Sequence, residues 1–293
     1  MKNKLSLFAV PYVGWMSIFV VAPIIIMVVY AFSTAAGDFT LENFARMGTY
    51  TAVFTRSFKL AIIATLIALL IGYPVSYMLS KEGPQVQRIA MVLIMLPMWM
   101  NFLLRTYSWM SILENNGLLN QLFQQIGLID LYNQVARHFA ADPAAYVPID
   151  HFQMIGTQGA VVLGMVYNYL PFMILPIYSV LVKLDHSLIE AARDLGASSV
   201  QVFRKVILPL SLPGVLSGIT MVFVPSVSTF AISRLLGGGT QMMLGDLIEQ
   251  QFLGGAYNPQ LGAAIALVMM AIVVVCMLVM NRFGDGEEQA VML

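Results

Sequence analysis

The sequence predicts an all-α integral membrane fold with six transmembrane helices, on three observations. Of its 293 residues, 59% are hydrophobic and only 10% charged, where soluble domains carry roughly 25% charged residues. Six apolar stretches approach the ~20 residues of helix that a bilayer core of about 30 Å requires. Lys and Arg crowd into alternate connecting segments, as they do on the inner side of membrane proteins. The formal net charge is zero, so no basic footprint argues for nucleic acid. Cys276 stands alone in an apolar run and forms no internal disulfide. His138, His151 and His186 are scattered without a ligand partner at helical spacing; they read as surface residues, and no metal site is expected.

The expected spans are about residues 5–32, 60–80, 89–112, 159–182, 211–233 and 261–281, in a single transmembrane domain over 1–293. The first follows Lys2 and Lys4, as a signal peptide would, but its apolar core far exceeds the usual ~7–15 residues. It reads as an uncleaved helix; the small residues Ala35, Ala36 and Gly37 keep cleavage as the alternative. The third run is short before Arg105 and is read as continuing through Tyr107 and Trp109, with the arginine near a water-facing end. Pro97, Pro171, Pro176 and Pro225 fall inside spans, where each removes a helical hydrogen bond and can kink the helix. An inside N-terminus gathers Lys2, Lys4, Lys81, Arg88, Lys183, Arg193, Arg204, Lys205 and Arg282 on the cytoplasmic side, with both termini. The long segment from Glu114 to Gln158 is then external. Within it Leu119, Leu122, Phe123 and Ile126 recur at helical spacing, so a helix there either lies on the membrane surface or packs over the bundle.

The segment 183–210, between spans four and five, is the most informative. Ser187 and Glu190 form S-x-x-E and Ser198 and Gln201 form S-x-x-Q, each a capping box that starts a short helix. Gly196 between them suits the left-handed conformation that ends the first. Pro209 and Pro213 mark where the second yields to the next span. Leu188, Ala192 and Leu195, then Val200, Phe203 and Val206, give each helix an apolar face. Charges of both signs interleave (Glu190, Arg193, Asp194, Arg204, Lys205). A lipid-surface helix is more often uniformly basic, so docking into a partner is favoured.

Glu190-Ala191-Ala192, three residues, Gly196, nine residues, Val206-Ile207-Leu208-Pro209 resembles the EAA motif of binding-protein-dependent ABC importer permeases. The spacing matches throughout; Val206 replaces the usual isoleucine. The resemblance implies a type I ABC importer permease fold whose loop 183–210 is the coupling-helix region. It implies polar contacts to a separate ATPase from Glu190, close packing at Ala191 and Ala192, and a bend at Gly196. Asp194, Leu208 and Pro209 complete the coupling set. It further implies a cytoplasmic ABC ATPase dimer, a second homologous permease and an extracellular or periplasmic substrate-binding protein, all at a bacterial cytoplasmic membrane. The chain lacks G-x-x-x-x-G-K-[ST], so it carries no P-loop. ATP and Mg belong to the partner, no cofactor is expected here, and the chain reads as a transport subunit rather than an enzyme.

Leu96-Pro97-Met98-Trp99, with Leu103, Arg105 and Tyr107, is similar to a stretch of the polyamine permeases, and 235–252 resembles the same group. The resemblance implies spermidine or putrescine as cargo; a long insert near His138 to Asp150 departs from the pattern. A polyamine sheds water only for carboxylates, carbonyls or aromatic faces. No Asp or Glu lies inside a predicted span. The candidates for a cation path are therefore Trp99, Asn101, Tyr107, Tyr169, Ser226, Ser228 and Thr229, with Asp246 and Glu249 near the outer mouth. Trp99 and Tyr107 read equally as an interfacial aromatic belt, and the hydroxyls as helix–helix glue. Arg105 and Arg234 are unhelpful to a cation, so iron, thiamine or an anion stays open as cargo. A secondary transporter would show inverted repeats or intramembrane charges, and a membrane-embedded enzyme a His or carboxylate constellation. Neither pattern is found.

Overall fold

The computed structural model describes residues 11–140 and 145–291; Lys2 and Lys4 lie outside them. Among the described residues, five helices are long and apolar enough to cross a membrane: Pro11–Ala31, Glu42–Ser80, Gln158–Leu181, Ser199–Ser228 and Pro259–Met280. Counting the bent pair Pro84–Trp99 and Phe102–Gln125 as one crossing gives six. These are spans one to six in chain order, with the bent pair third.

Spans two, four and five form the core. Leu60 and Ala64 of span two pack with Ala160, Val161 and Met165 of span four, and Ala68 packs with Met173 and Ile177. The two helices therefore run parallel. Span five runs against them: Val215 joins Ala68, whereas Val227 joins Ala61. Lipid tails are as apolar as leucine, so close approach and polar contacts, not hydrophobicity, hold helices together in a membrane. Span two supplies a small-residue stripe of Ala61, Ala64, Ala68, Gly72 and Ser76, all buried. Ser76 Oγ donates both to Gly72 O at 2.7 Å and across to Ile174 O at 3.0 Å. Span five answers with Gly214 and Gly218, where an added Cβ would stand 2.8 Å from Pro176 O and 2.8 Å from Met173 Sδ.

Spans one and six are peripheral. Ala31 packs on Ala263 and Ala264, and Asn43 Nδ2 ties the end of span one by donating to Ala31 O and Ser33 O, each at 3.0 Å. Connectivity places the ends of spans two and four, the loop 183–210 and the end of span six on one face. The ends of spans one and five lie on the opposite face.

The third span departs from the sequence expectation. Its two helices meet at 91° rather than running on through Tyr107 and Trp109. Pro97 opens a 3-10 turn, Leu96–Trp99, and Met100 and Asn101 are extended. Asn101 Oδ1 then caps the new helix, accepting from Leu103 N at 2.8 Å. Arg105 is not near water: it is 8% exposed, one turn into that helix. The segment 114–158 packs on itself along one side, while Leu118, Leu122 and Ile126 present an exposed apolar face. Asn120 holds Phe152 by a reciprocal pair of bonds, 3.0 and 2.9 Å. Phe123 and Tyr132 each meet the Phe152 ring edge to face. The insert 138–150 lies partly outside the described residues; within them Asn133 anchors Tyr146 and Ile149.

Candidate coupling loop and translocation path

The first loop helix is His186–Asp194, and its cap is Asp185, whose carboxylate accepts from Ser187 N at 2.9 Å. The S-x-x-E spacing points to Ser187 as the cap. Asp185 displaces it because an anionic oxygen serves a helix N-terminus as well as a hydroxyl does and also meets the positive end of the helix dipole. Gly196 ends the helix at φ +80°, donating to Arg193 O at 2.8 Å. Ser198 and Gln201 form the complete capping box expected of them.

The second helix does not yield at Pro209. Ser199–Val202 runs into a π-helical segment, Phe203–Ile207, and straight into Leu208–Ser228. The result is one helix, Ser199–Ser228. A proline ring clashes with the carbonyl four residues back. The wider π turn, with Leu208 N donating to Phe203 O, makes room for Pro209 without a break. Phe203 sits edge-on to Tyr73 and Tyr77 of span two, with ring centroids at 5.8 and 5.7 Å. Tyr73 Oη lies 2.8 Å from Ser211 Oγ, and Lys81 Nζ stands 3.9 Å over the Tyr77 ring. The loop is thus tied to both span five and span two.

Its other side is uncovered among the described residues. Glu190, Ala191, Arg193, Asp194 and Gly196 are exposed, and so are the apolar Leu188, Leu195 and Val200, with Leu195 at 89%. Ala192 does not belong with them. It turns inward with Ile189 and Phe203 toward Val202 and Ile207, so of the two alanines only Ala191 is presented outward. Leu208 is exposed and Pro209 half-buried at the start of the membrane segment.

The path candidates separate into two groups. Trp99, 74% exposed, marks the bend in the third span, and Tyr107 is exposed on the following helix. Tyr169 lies half-buried between the two main core clusters, its hydroxyl facing Thr229 and near Arg105. The others are committed elsewhere. Asn101 is a helix cap. Ser226 is fully buried and donates to Val222 O at 2.7 Å, and Ser228 donates to Val224 O at 3.2 Å. Both bond back to their own helix; Ser226 does so where it is buried, whereas Ser228 is exposed. Arg105 faces the packed side, its Nε and Nη1 without hydrogen-bond partners among the described residues.

Asp246 and Glu249 are not open carboxylates. Arg234 pairs with Glu249 at 2.5 Å and stands 3.9 Å from Asp246. Asp246 is buried, accepts from Ser233 Oγ at 2.5 Å and from Met243 N at 3.1 Å, and so caps the helix Leu244–Leu253. The sequence alone sets Arg234 against a cation path; its charge is answered within this trio instead. Burial raises the Asp246 carboxyl above the ordinary aspartate range, against the pull of its hydrogen bonds and Arg234. Asp246 therefore holds a proton more tightly in the folded chain than in the unfolded one. That contribution is full below the usual Asp pKa and fades as pH rises through the raised value. Asp246→Asn, which keeps an acceptor, leaves Tm near wild type and flattens this pH dependence. Asp246→Ala costs about 1 kcal/mol through the lost cap. Thermal melting in detergent between pH 4 and pH 8 separates the two.

A bundle of five to six crossings with an exposed loop of this geometry is the architecture of a membrane permease, and the family and relatives below make it one of the ABC importer class, a transport component rather than an enzyme. The chain belongs to the family described as "Binding-protein-dependent transport system inner membrane component", whose model matches residues 64–286. It is 35% identical over 281 residues to the spermidine/putrescine transport system permease protein PotB of Escherichia coli (strain K12), covering 93% of this chain and 95% of that one. It is also 35% identical to PotB of Haemophilus influenzae, covering 93% of each. The fold matches a chain of a bacterial ABC transporter involved in the import of the acidic polysaccharide alginate, with TM-score 0.76, 16% identity and 97% and 96% coverage. It is a multi-pass inner-membrane permease.

Proposed function

We propose that this chain imports a polyamine as one permease of a complex with a cytoplasmic ATPase dimer, a second permease and an external binding protein. The observation that carries the reading is the unbroken helix Ser199–Ser228, which joins the exposed loop to the core. ATP and Mg bind the ATPase. Its closure pulls on the loop through Glu190, Ala191 and Asp194, and the continuous helix, with Phe203 against Tyr73 and Tyr77, carries the motion to spans five and two. The exposed Leu188, Leu195 and Val200 supply the apolar part of the dock. The Lys/Arg distribution supports a cytoplasmic side for this loop and both termini. The polyamine assignment rests on the PotB relatives and on the exposed aromatic faces of Trp99 and Tyr107. The Arg105 guanidinium, whose Nε and Nη1 find no hydrogen-bond partner among the described residues, favours the competing reading, an anionic cargo.

The test is ATPase activity of the purified complex with and without binding protein loaded with spermidine. Stimulation by the spermidine-loaded protein supports importer and cargo together. Hydrolysis indifferent to polyamines removes the cargo. A chain that purifies without an ATPase and still conducts substrate in liposomes overturns the reading. Trp99→Ala should raise the KM for spermidine about fivefold, the loss of about 1 kcal/mol of cation–π attraction. Uptake kinetics in proteoliposomes measure it, and an unchanged KM assigns Trp99 to the interface belt.

A further inference from the structure

Spans one and six leave a two-part cleft on the face opposite the coupling loop. Its upper part, about 540 Å³, is lined by polar groups including Tyr30, Thr34, Glu42, Arg46, Tyr257 and Asn258. Its lower part, about 480 Å³, runs along the spans between Pro23, Ile26 and Met27 on one side and Ala263 and Ala266 on the other. Tyr30, Tyr257 and Pro259 line both parts, so the two are continuous. Each volume lies in the roughly 300–1,000 Å³ range of small-molecule sites.

The chemistry changes along the cleft as it does along a phospholipid. The upper part holds one cation and one anion: Arg46 and Glu42, paired at 2.7 Å and both exposed. A phosphoethanolamine head carries the complementary charges, one phosphate and one primary ammonium. The lower part is apolar and set at bilayer depth, where small Ala263 and Ala266 face span one. The apolar window of span one is not buried by the other described residues, so acyl chains reach the groove from the side. The shared tyrosines sit at span ends, the level of lipid headgroups.

We propose that this cleft binds one zwitterionic phospholipid bearing a primary amine, from the leaflet opposite the coupling loop. Its phosphate lies at Arg46, its ammonium at Glu42, and one acyl chain in the groove between spans one and six.

The test is native mass spectrometry of the assembled importer, released from nanodiscs containing equal amounts of phosphatidylethanolamine, phosphatidylcholine and phosphatidylglycerol. The expected result is one phosphatidylethanolamine retained per copy of this chain, above the other two. Arg46→Glu and Tyr257→Ser each cut that retention at least fivefold. Both positions are exposed, so neither change removes core packing. Equal retention of the three lipids, or retention unchanged in both variants, overturns the proposal. So does a map of the complex in which the second permease or the binding protein fills the cleft.

Discussion

Gly196→Pro will abolish uptake while the chain still inserts and accumulates. Gly196 holds φ +80°, and proline is locked near −65°. Proline also removes the N–H that donates to Arg193 O at 2.8 Å. The turn between His186–Asp194 and Ser199–Val202 then opens, and the exposed side chains of the first helix lose their fixed relation to the long helix behind them. Nothing lies within 4 Å of a Cβ at this glycine. Gly196→Ala therefore meets only the left-handed backbone cost, about 1 kcal/mol, and should keep partial uptake. Glu190→Lys places a cation on an exposed position without touching the fold and should also stop transport. Uptake in cells, scored against membrane levels of each variant, is the measurement. Normal uptake by Gly196→Pro and Glu190→Lys would remove the loop from the coupling role.

The second large effect falls on the fold itself. Gly214→Leu or Gly218→Leu will prevent spans four and five from closing. A Cβ at Gly214 meets a backbone oxygen, Pro176 O, at 2.8 Å, and the Ile177 Cα at 3.1 Å. Backbone cannot rotate away as a side chain does, so the helices must separate along their length. Overpacking of this kind costs about 3 kcal/mol or more, which lowers Tm by roughly 10 °C or removes the protein from the membrane. At Gly218 the first atom met is Met173 Sδ, a flexible side chain, with Met173 O behind it at 3.1 Å. Gly218→Ala should therefore be the milder change, and Gly214→Ala the worse one. Fluorescence size-exclusion melting of the four variants orders them; equal melting of the two alanine variants would contradict the geometry.

The shape of the loop 183–210 is legible in the sequence because its information is local. The motif spacing, the Ser198–Gln201 box and the glycine at the bend each depend on residues a few positions apart. The same local reading misplaces the first cap, because Asp185 and Ser187 are both good caps and only the folded turn chooses between them. It also ends the second helix at Pro209, since a π turn has no sequence signature as plain as the proline it accommodates. The Gly214 and Gly218 contact does have a local signature, G-x-x-x-G on span five, which a reading by apolar run length alone misses. Which side of a helix packs is not legible. Ala192 and Ala191 are neighbours in a motif, yet one faces the core and the other the outside. Asp246, Glu249 and Arg234 look like three separate charges, and only the meeting of two short helices makes them a closed set. Arg105 looks like a boundary residue because its burial depends on the 91° turn just before it.

The helix Ser199–Ser228 has 30 residues, hence a length of about 45 Å. That exceeds the bilayer core of about 30 Å by half, so the rod projects from the membrane at its loop end. Such lengths confer leverage. A tilt of roughly 10° about one end moves the other by about 8 Å over such a length, wider than a substrate of a few ångströms. On the proposed coupling, a modest tilt applied at the loop end shifts the opposite end far enough to open or shut a passage there. A flexible joint at Pro209 would have absorbed that tilt before it crossed the membrane.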